Sequence, residues 1–142
     1  MKEVCSIAEN EKKRNYSRKR EAILKAVRST TCHPTAEWVY QTLKPHYPDL
    51  SLGTVYRNLT QFKKDGTVIT VGTVNGQERY DGNVHPHTHF VCTCCGAVLD
   101  VPGDFLSKDQ VLEAARNMNL RVESSDVVLH GICSKCLQKK NL

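Results

Sequence analysis

Ser51-Leu52-Gly53-Thr54-Val55-Tyr56-Arg57-Asn58-Leu59-Thr60-Gln61-Phe62-Lys63-Lys64-Asp65-Gly66 decides the reading of the fold. Ser51 is a helix N-cap residue and Gly66 suits a C-terminal cap. Between them Leu52, Val55, Leu59 and Phe62 recur at the spacing of one helical face. That arrangement leaves Tyr56, Arg57, Thr60, Gln61, Lys63 and Lys64 pointing largely elsewhere, with Asn58 toward the same side.

Upstream, Ser17 is read as the cap of a helix carrying Ile23, Leu24 and Val27. Thr35, after His33-Pro34, caps a second helix showing Ala36, Val39, Tyr40 and Leu43, which ends at Lys44-Pro45. Downstream, Val68-Ile69-Thr70-Val71 and Gln77-Glu78-Arg79-Tyr80 flank Asn75-Gly76, a tight-hairpin signal. Three helices and a hairpin outline a winged helix-turn-helix. In such an outline the third helix enters the major groove. Arg57 is suited to a guanine edge, and Lys63 and Lys64 to phosphates. A solvated basic face is the alternative. The runs Lys12-Lys13-Arg14 and Arg18-Lys19-Arg20, and a net charge of +5, add weight to a polyanionic partner.

From about residue 86 the pattern changes to strands around one helix. Thr88 to Cys92 and Ala97 to Val101 read as paired strands. Ser107-x-x-Gln110 opens a helix with Val111, Leu112, Ala115 and Met118. Arg121-Val122-Glu123 and Val127 to Ile132 read as further strands. This half buries little by itself, and its apolar face and open edge predict a homodimer. The fold class is therefore α+β: a winged-helix domain over 1–80, a hinge over 81–86, and a small α/β dimerisation domain over 87–142.

The chain has seven cysteines among 142 residues. No apolar run approaches the roughly 18 residues of a membrane helix. The opening Met1-Lys2-Glu3-Val4-Cys5 has no signal segment, so the expectation is a cytoplasmic protein whose thiols stay reduced. Four of those thiols form two Cys-x-x-Cys pairs, Cys92/Cys95 and Cys133/Cys136. Two such pairs complete a closed four-thiolate zinc shell. A redox-active pair is the alternative, but that motif opens a helix and needs no second pair. Both pairs here are read as flanking strands, which favours zinc. Cys94 offers an alternative ligand, while Cys5 and Cys32 read as ordinary side chains.

His87 and His89 share one strand face, and Asp100 falls on the partner strand. Asp81 lies in the connector and His33 at a helix start. On spacing alone a lone histidine reads as an ordinary surface or core side chain, while for the His87/His89 pair beside the thiol turn a metal role and an ordinary one both stay open. Three imidazoles and two carboxylates suit iron(II), manganese(II) or zinc. A metal held by both halves would turn its occupancy into half-site geometry. His46, His85 and His130 read as ordinary residues.

His33-Pro34-Thr35-Ala36, Ser51 to Leu59, Arg79-Tyr80-Asp81, His87-Thr88-His89-Phe90-Val91-Cys92 and both Cys-x-x-Cys pairs together resemble the ferric uptake regulators, bacterial metal-dependent repressors. The match covers most of the chain. Within that family the likeness is to the peroxide-sensing repressors. Their three His and two Asp fall on His33, Asp81, His87, His89 and Asp100, where iron-sensing relatives usually carry glutamates at the two acidic positions. Ser125 stands where those relatives often have a histidine of a further metal site. The chain departs from the pattern at Cys94, His85 and Leu129-His130-Gly131. The resemblance implies a repressor of double-stranded operator DNA, not an enzyme, with structural Zn2+ and regulatory Fe2+ or Mn2+. It also implies oxidation of His33 or His87 by peroxide, with release of DNA. An iron- or zinc-responsive repressor without peroxide sensing is the alternative within the family. A dithiol redox protein or zinc-stabilised interaction module is the alternative outside it.

Overall fold

A long unbroken helix opens the chain: α1 spans Lys2–Arg28. The computed structural model describes residues 2–139, with side chains described at Lys13 and from Tyr16 onward. Cys5, Lys12 and Arg14 lie outside the described side chains. Ser17 does not cap α1 but lies inside it and is exposed. Glu, Lys and Arg dominate the stretch before it. They are good helix formers, and no proline or glycine interrupts them. The chain divides into two compact units, one up to Val84 and one from His85.

In the first unit, α2 (Ala36–Leu43) is capped by Thr35, whose Oγ1 accepts from Trp38 N at 3.1 Å. Helix α3 (Leu52–Asp65) is capped by Ser51, which accepts from Thr54 N at 3.1 Å. It ends at Gly66 with φ 72°, a left-handed position that suits glycine. Strands β1 (Ile69–Val74) and β2 (Gln77–Asp81) form the hairpin, with Asn75 and Gly76 at φ 53° and 77°. Two consecutive positive φ values match the twist of a two-residue turn. A bulge between Thr70 and Gly72 shifts the register, so that Gly72 faces Arg79 and Ile69 faces Asp81.

Ile23 and Val27 of α1, Val39 of α2, and Val55, Leu59 and Phe62 of α3 close one core with Leu50, Val68 and Tyr80. Each such side chain contributes about 1.5–3 kcal/mol on burial. Tyr80 N donates to Pro34 O at 2.9 Å, which ties β2 to the connection before α2.

In the second unit, β3 (Thr88–Cys92) is the centre of a three-stranded sheet ordered β4-β3-β5. Strand β4 (Val98–Val101) is antiparallel to β3, and β5 (Val127–Gly131) is parallel to it. Helix α4 (Lys108–Met118) makes the crossover, capped by Ser107 and ended by Asn119 in the left-handed conformation. Arg121 to Glu123, expected as a strand, form none; every side chain from Arg121 to Asp126 is exposed. A last helix, α5 (Ser134–Lys139), was not expected; Leu137 N closes its turn on Cys133 O at 2.9 Å.

The thiols form a small buried cluster in this unit, Cys92, Cys133 and Cys136 with Phe90, Ala97 and Ile132 packed on them, and Val91, Val98 and Ala115 are buried as well. Leu99, Phe105, Leu112, Met118, Leu120 and Leu129 stay exposed. No helix among the described residues is long and apolar enough to cross a membrane.

Candidate metal centres and nucleic-acid interface

The four thiols converge. Cys92 ends β3 and Cys95 sits in the turn toward β4, while Cys133 and Cys136 straddle the start of α5. The second pair therefore opens a helix instead of flanking strands alone, as a redox pair would. Spacing settles which chemistry fits. The four sulfurs lie within 4.8 Å of one another, with Cys92–Cys136 at 3.9 Å and Cys95–Cys133 at 3.8 Å. A tetrahedron with bonds of about 2.3 Å to zinc has edges of about 3.8 Å. The donor set fits zinc.

Backbone N–H groups of Cys95 (3.5 Å) and Cys133 (3.3 Å) point at Cys92 Sγ. They draw the Cys92 thiol down to about 6, toward the thiolate that a metal needs. Hydrogen bonding with Cys133, and next with Cys94, pushes the Cys136 thiol up. Cys94 is exposed beside this cluster and is not one of the four, and Cys32 is exposed.

The nitrogen and oxygen candidates form a pair in the first unit and a trio in the second. His33 lies two residues ahead of the Thr35 cap, with φ 52° and its side chain buried. Asp81 closes β2 instead of lying in a free connector, and it is also buried. His33 Nδ1 is 3.3 Å from Asp81 Oδ2, and Asp81 Oδ1 accepts from Asn83 N at 2.8 Å. The guanidinium of Arg79 holds the loop in front: Nε donates to His33 O, and Nη2 to Cys32 O at 2.6 Å. Sequence reasoning missed this role. Its available signal was Arg79 two residues before Asp81, hence on the same strand face.

In the second unit His89 stands opposite Asp100 in the β3–β4 ladder, and His87 lies just ahead of β3. Asp100 Oδ1 is 3.2 Å from His87 Nε2 and 3.6 Å from His89 Nε2. The two rings are 4.2 Å apart at an angle of 58°. His87 Nδ1 lies 2.6 Å from His85 O. A carbonyl only accepts, so Nδ1 donates, which leaves Nε2 as the ring nitrogen turned toward Asp100. His85 thus contributes its backbone. This donor set, all imidazole and carboxylate, suits iron(II) or manganese(II).

On α3, Tyr56, Arg57, Thr60, Gln61, Lys63 and Lys64 are exposed. Asn58 is not: it is 1% exposed, and Nδ2 donates to Thr54 O at 2.9 Å. The expectation of a groove contact from Asn58 is corrected, because its helical position falls beside the buried Leu59 and Phe62 stripe. Lys63 pairs with Glu78 of β2. In the basic run, Lys19 pairs with Asp49 at 2.8 Å. Arg20 pairs with Asp65 at 3.3 Å and covers the Phe62 ring at 4.4 Å. Arg20 thus joins α1 to α3, and Lys19 joins α1 to the turn before α3.

A helical unit with a β-hairpin, followed by a small sheet with clustered thiols, is the plan of a metal-responsive regulator. The chain belongs to the ferric uptake regulator family, whose profile matches residues 11–136. It is 32% identical over 123 residues to the peroxide-responsive repressor PerR of Staphylococcus epidermidis, covering 86% of this chain and 81% of that one. Among solved structures it is similar to the Campylobacter jejuni peroxide stress regulator, with TM-score 0.75, 27% identity, and 94% and 98% of the two chains covered. It is also similar to the ferric uptake regulator from Pseudomonas aeruginosa, solved with manganese, with TM-score 0.66, 28% identity, and 81% and 87% covered.

Proposed function

We propose that this chain is a cytoplasmic, metal-dependent transcriptional repressor that releases operator DNA in response to hydrogen peroxide. Residues 1–80 would form the DNA-binding domain, 81–86 the hinge and 87–142 the dimerisation domain. Cys92, Cys95, Cys133 and Cys136 hold a structural zinc ion. His33, Asp81, His87, His89 and Asp100 hold one regulatory iron(II) or manganese(II) ion. Tyr56, Arg57, Thr60, Lys63 and Lys64 face the DNA.

The observation that carries the reading is the donor set: three buried or half-buried imidazoles and two carboxylates, with both acidic residues aspartate. The likeness to peroxide-responsive repressors supports the same reading. Exposed Leu112, Met118, Leu120 and Leu129, with β5 bonded only to β3 among the described strands, support a homodimer.

Iron(II) held by these residues would activate peroxide beside an imidazole, and manganese(II) would supply the charge without that reaction. The residues do the rest. His33 and Asp81 draw the first unit to the ion, and His87, His89 and Asp100 draw the second. Transfer of one peroxide oxygen to a ring carbon of His33 or His87, with the displaced hydrogen and the second oxygen leaving as water, would weaken that ring as a donor and free the two units. The response is stoichiometric, and no substrate is turned over.

The test is peptide mass spectrometry of iron-loaded protein given low peroxide, beside a DNA-retardation assay. One added oxygen on the His33 or His87 peptide, in step with loss of DNA binding, is expected. Loss of DNA binding with oxidation confined to cysteines would overturn the mechanism. DNA binding indifferent to chelation of the exchangeable metal would overturn the repressor reading.

A further inference from the structure

We infer that Arg79 is a positioning residue for His33: its guanidinium locks the Cys32–His33 backbone in the conformation that turns the imidazole toward Asp81. The inference rests on the reading of His33 and Asp81 as metal ligands.

His33 has φ 52°, in the left-handed region that a residue with a β-carbon rarely adopts. Such a conformation persists where neighbouring contacts enforce it. Here the carbonyls on both sides of the His33 Cα, those of Cys32 and His33, converge on one guanidinium. In an extended chain successive carbonyls point to opposite sides. The positive φ at His33 lets two of them turn the same way, so that one cation can hold both. The planar fork of arginine offers parallel donors to such a pair. Lysine offers a point charge and cannot satisfy both with the same geometry.

The clamp and the ligand arrive together. Arg79 and Asp81 lie two apart on β2, and so on one face of the strand. Arg79 grips the backbone of residues 32 and 33, while Asp81 meets the His33 ring at 3.3 Å. A third tie, Tyr80 N to Pro34 O at 2.9 Å, fixes the next residue of the same connection. Removing Arg79 leaves Tyr80 N–H and Asp81 in place. What is lost is the force that keeps His33 left-handed. The loop then relaxes toward negative φ and the imidazole leaves the carboxylate.

The test compares Arg79→Gln, Arg79→Lys and Asp81→Ala in the full chain with zinc retained. Arg79→Gln is expected to weaken Mn2+ binding about tenfold or more, measured by competition with a chelating dye. Amide hydrogen exchange should quicken over residues 30–34 and stay unchanged over β3. In iron-loaded protein given peroxide, added oxygen should shift from the His33 peptide to the His87 peptide. A general loss of stability would not move that partition. Arg79→Lys should fall between the parent and Arg79→Gln in all three readouts, and it decides the matter if Arg79→Gln does not fold. Parental Mn2+ affinity in the Arg79 variants, beside weakened binding in Asp81→Ala, would overturn the role of Arg79 alone. Parental affinity in Asp81→Ala would instead overturn the ligand assignment.

Discussion

His89 and Asp100 face one another across the β3–β4 ladder, with Nε2 3.6 Å from Oδ1. The same carboxylate oxygen is 3.2 Å from His87 Nε2. One short acidic side chain therefore sets the position of two imidazoles. Asp100→Glu adds one methylene and displaces the carboxylate by about 1.5 Å. The donor type is unchanged, so Mn2+-dependent DNA binding should persist. Reaction geometry is less forgiving, because a misplacement of about 1 Å can cost on the order of a hundredfold in rate. The variant should need at least about tenfold more peroxide to release DNA. An unchanged peroxide titration by gel retardation would count against the peroxide-sensing assignment.

The thiol cluster makes a pH prediction. Cys92 is drawn down to about 6 from an ordinary 9.0, first by the N–H of Cys95 and then by that of Cys133. A thiol depressed in the folded state stabilises it fully above the ordinary value, less as pH falls, and no longer once pH passes below the folded value. In reduced, zinc-free protein the thermal midpoint should therefore rise between pH 6 and pH 9, and Cys92→Ser should remove most of that rise. Parallel curves for the two proteins would refute this account. Zinc should raise the midpoint of the parent at neutral pH, since four thiolates couple metal binding to folding.

Much of this was legible in the chain because caps and turns are local. Thr35, Ser51, Gly66, Asn75-Gly76 and Ser107 each act within three or four residues, and each does what its type dictates. The start of α1 was missed because a capping residue such as Ser17 is also tolerated inside a helix of strong formers. Asn58 was misread because helical spacing leaves residues beside the apolar stripe ambiguous, and packing decided in favour of burial. Arg79 was missed for a different reason. Its role depends on a left-handed His33 and a loop 46 residues away in sequence, and neither has a local signature.

The exposed face of α3 carries two neighbouring lysines that should not behave alike. Lys63 is paired with Glu78, whereas Lys64 is exposed one position further on. Burial alone would raise the Glu78 carboxyl, but hydrogen bonds from Lys63 and Tyr80 leave it below the usual range. The pair is thus formed at neutral pH. Each phosphate contact removed lowers the slope of log affinity against log salt by about 1. Lys64→Ala should lower it by that amount and Lys63→Ala by less. In a Glu78→Gln background Lys63 is released, and Lys63→Ala should then lower the slope by a full unit. Fluorescence anisotropy over a salt series gives the answer, and equal slopes for the two single variants would refute it.

Gly82 follows Asp81 directly, and its packing sets where that carboxylate stands. A β-carbon there would lie 2.7 Å from Arg28 Cγ, 3.2 Å from Arg28 Cα and 3.4 Å from Arg28 N. The crowding atoms are the root of a side chain and the backbone of α1, so no distant rotamer relieves it. Gly82→Ala should destabilise the first unit by about 1–3 kcal/mol, the usual cost of overpacking. It should also weaken Mn2+ binding, because the end of β2 must shift to make room. Adding Arg28→Ala removes the Cγ contact at 2.7 Å and leaves the two backbone contacts. The double variant should therefore recover part of the loss and not all of it. Urea unfolding with and without Mn2+ separates the two effects. A double variant no more stable than Gly82→Ala alone would show that the clash with Arg28 is not the cause.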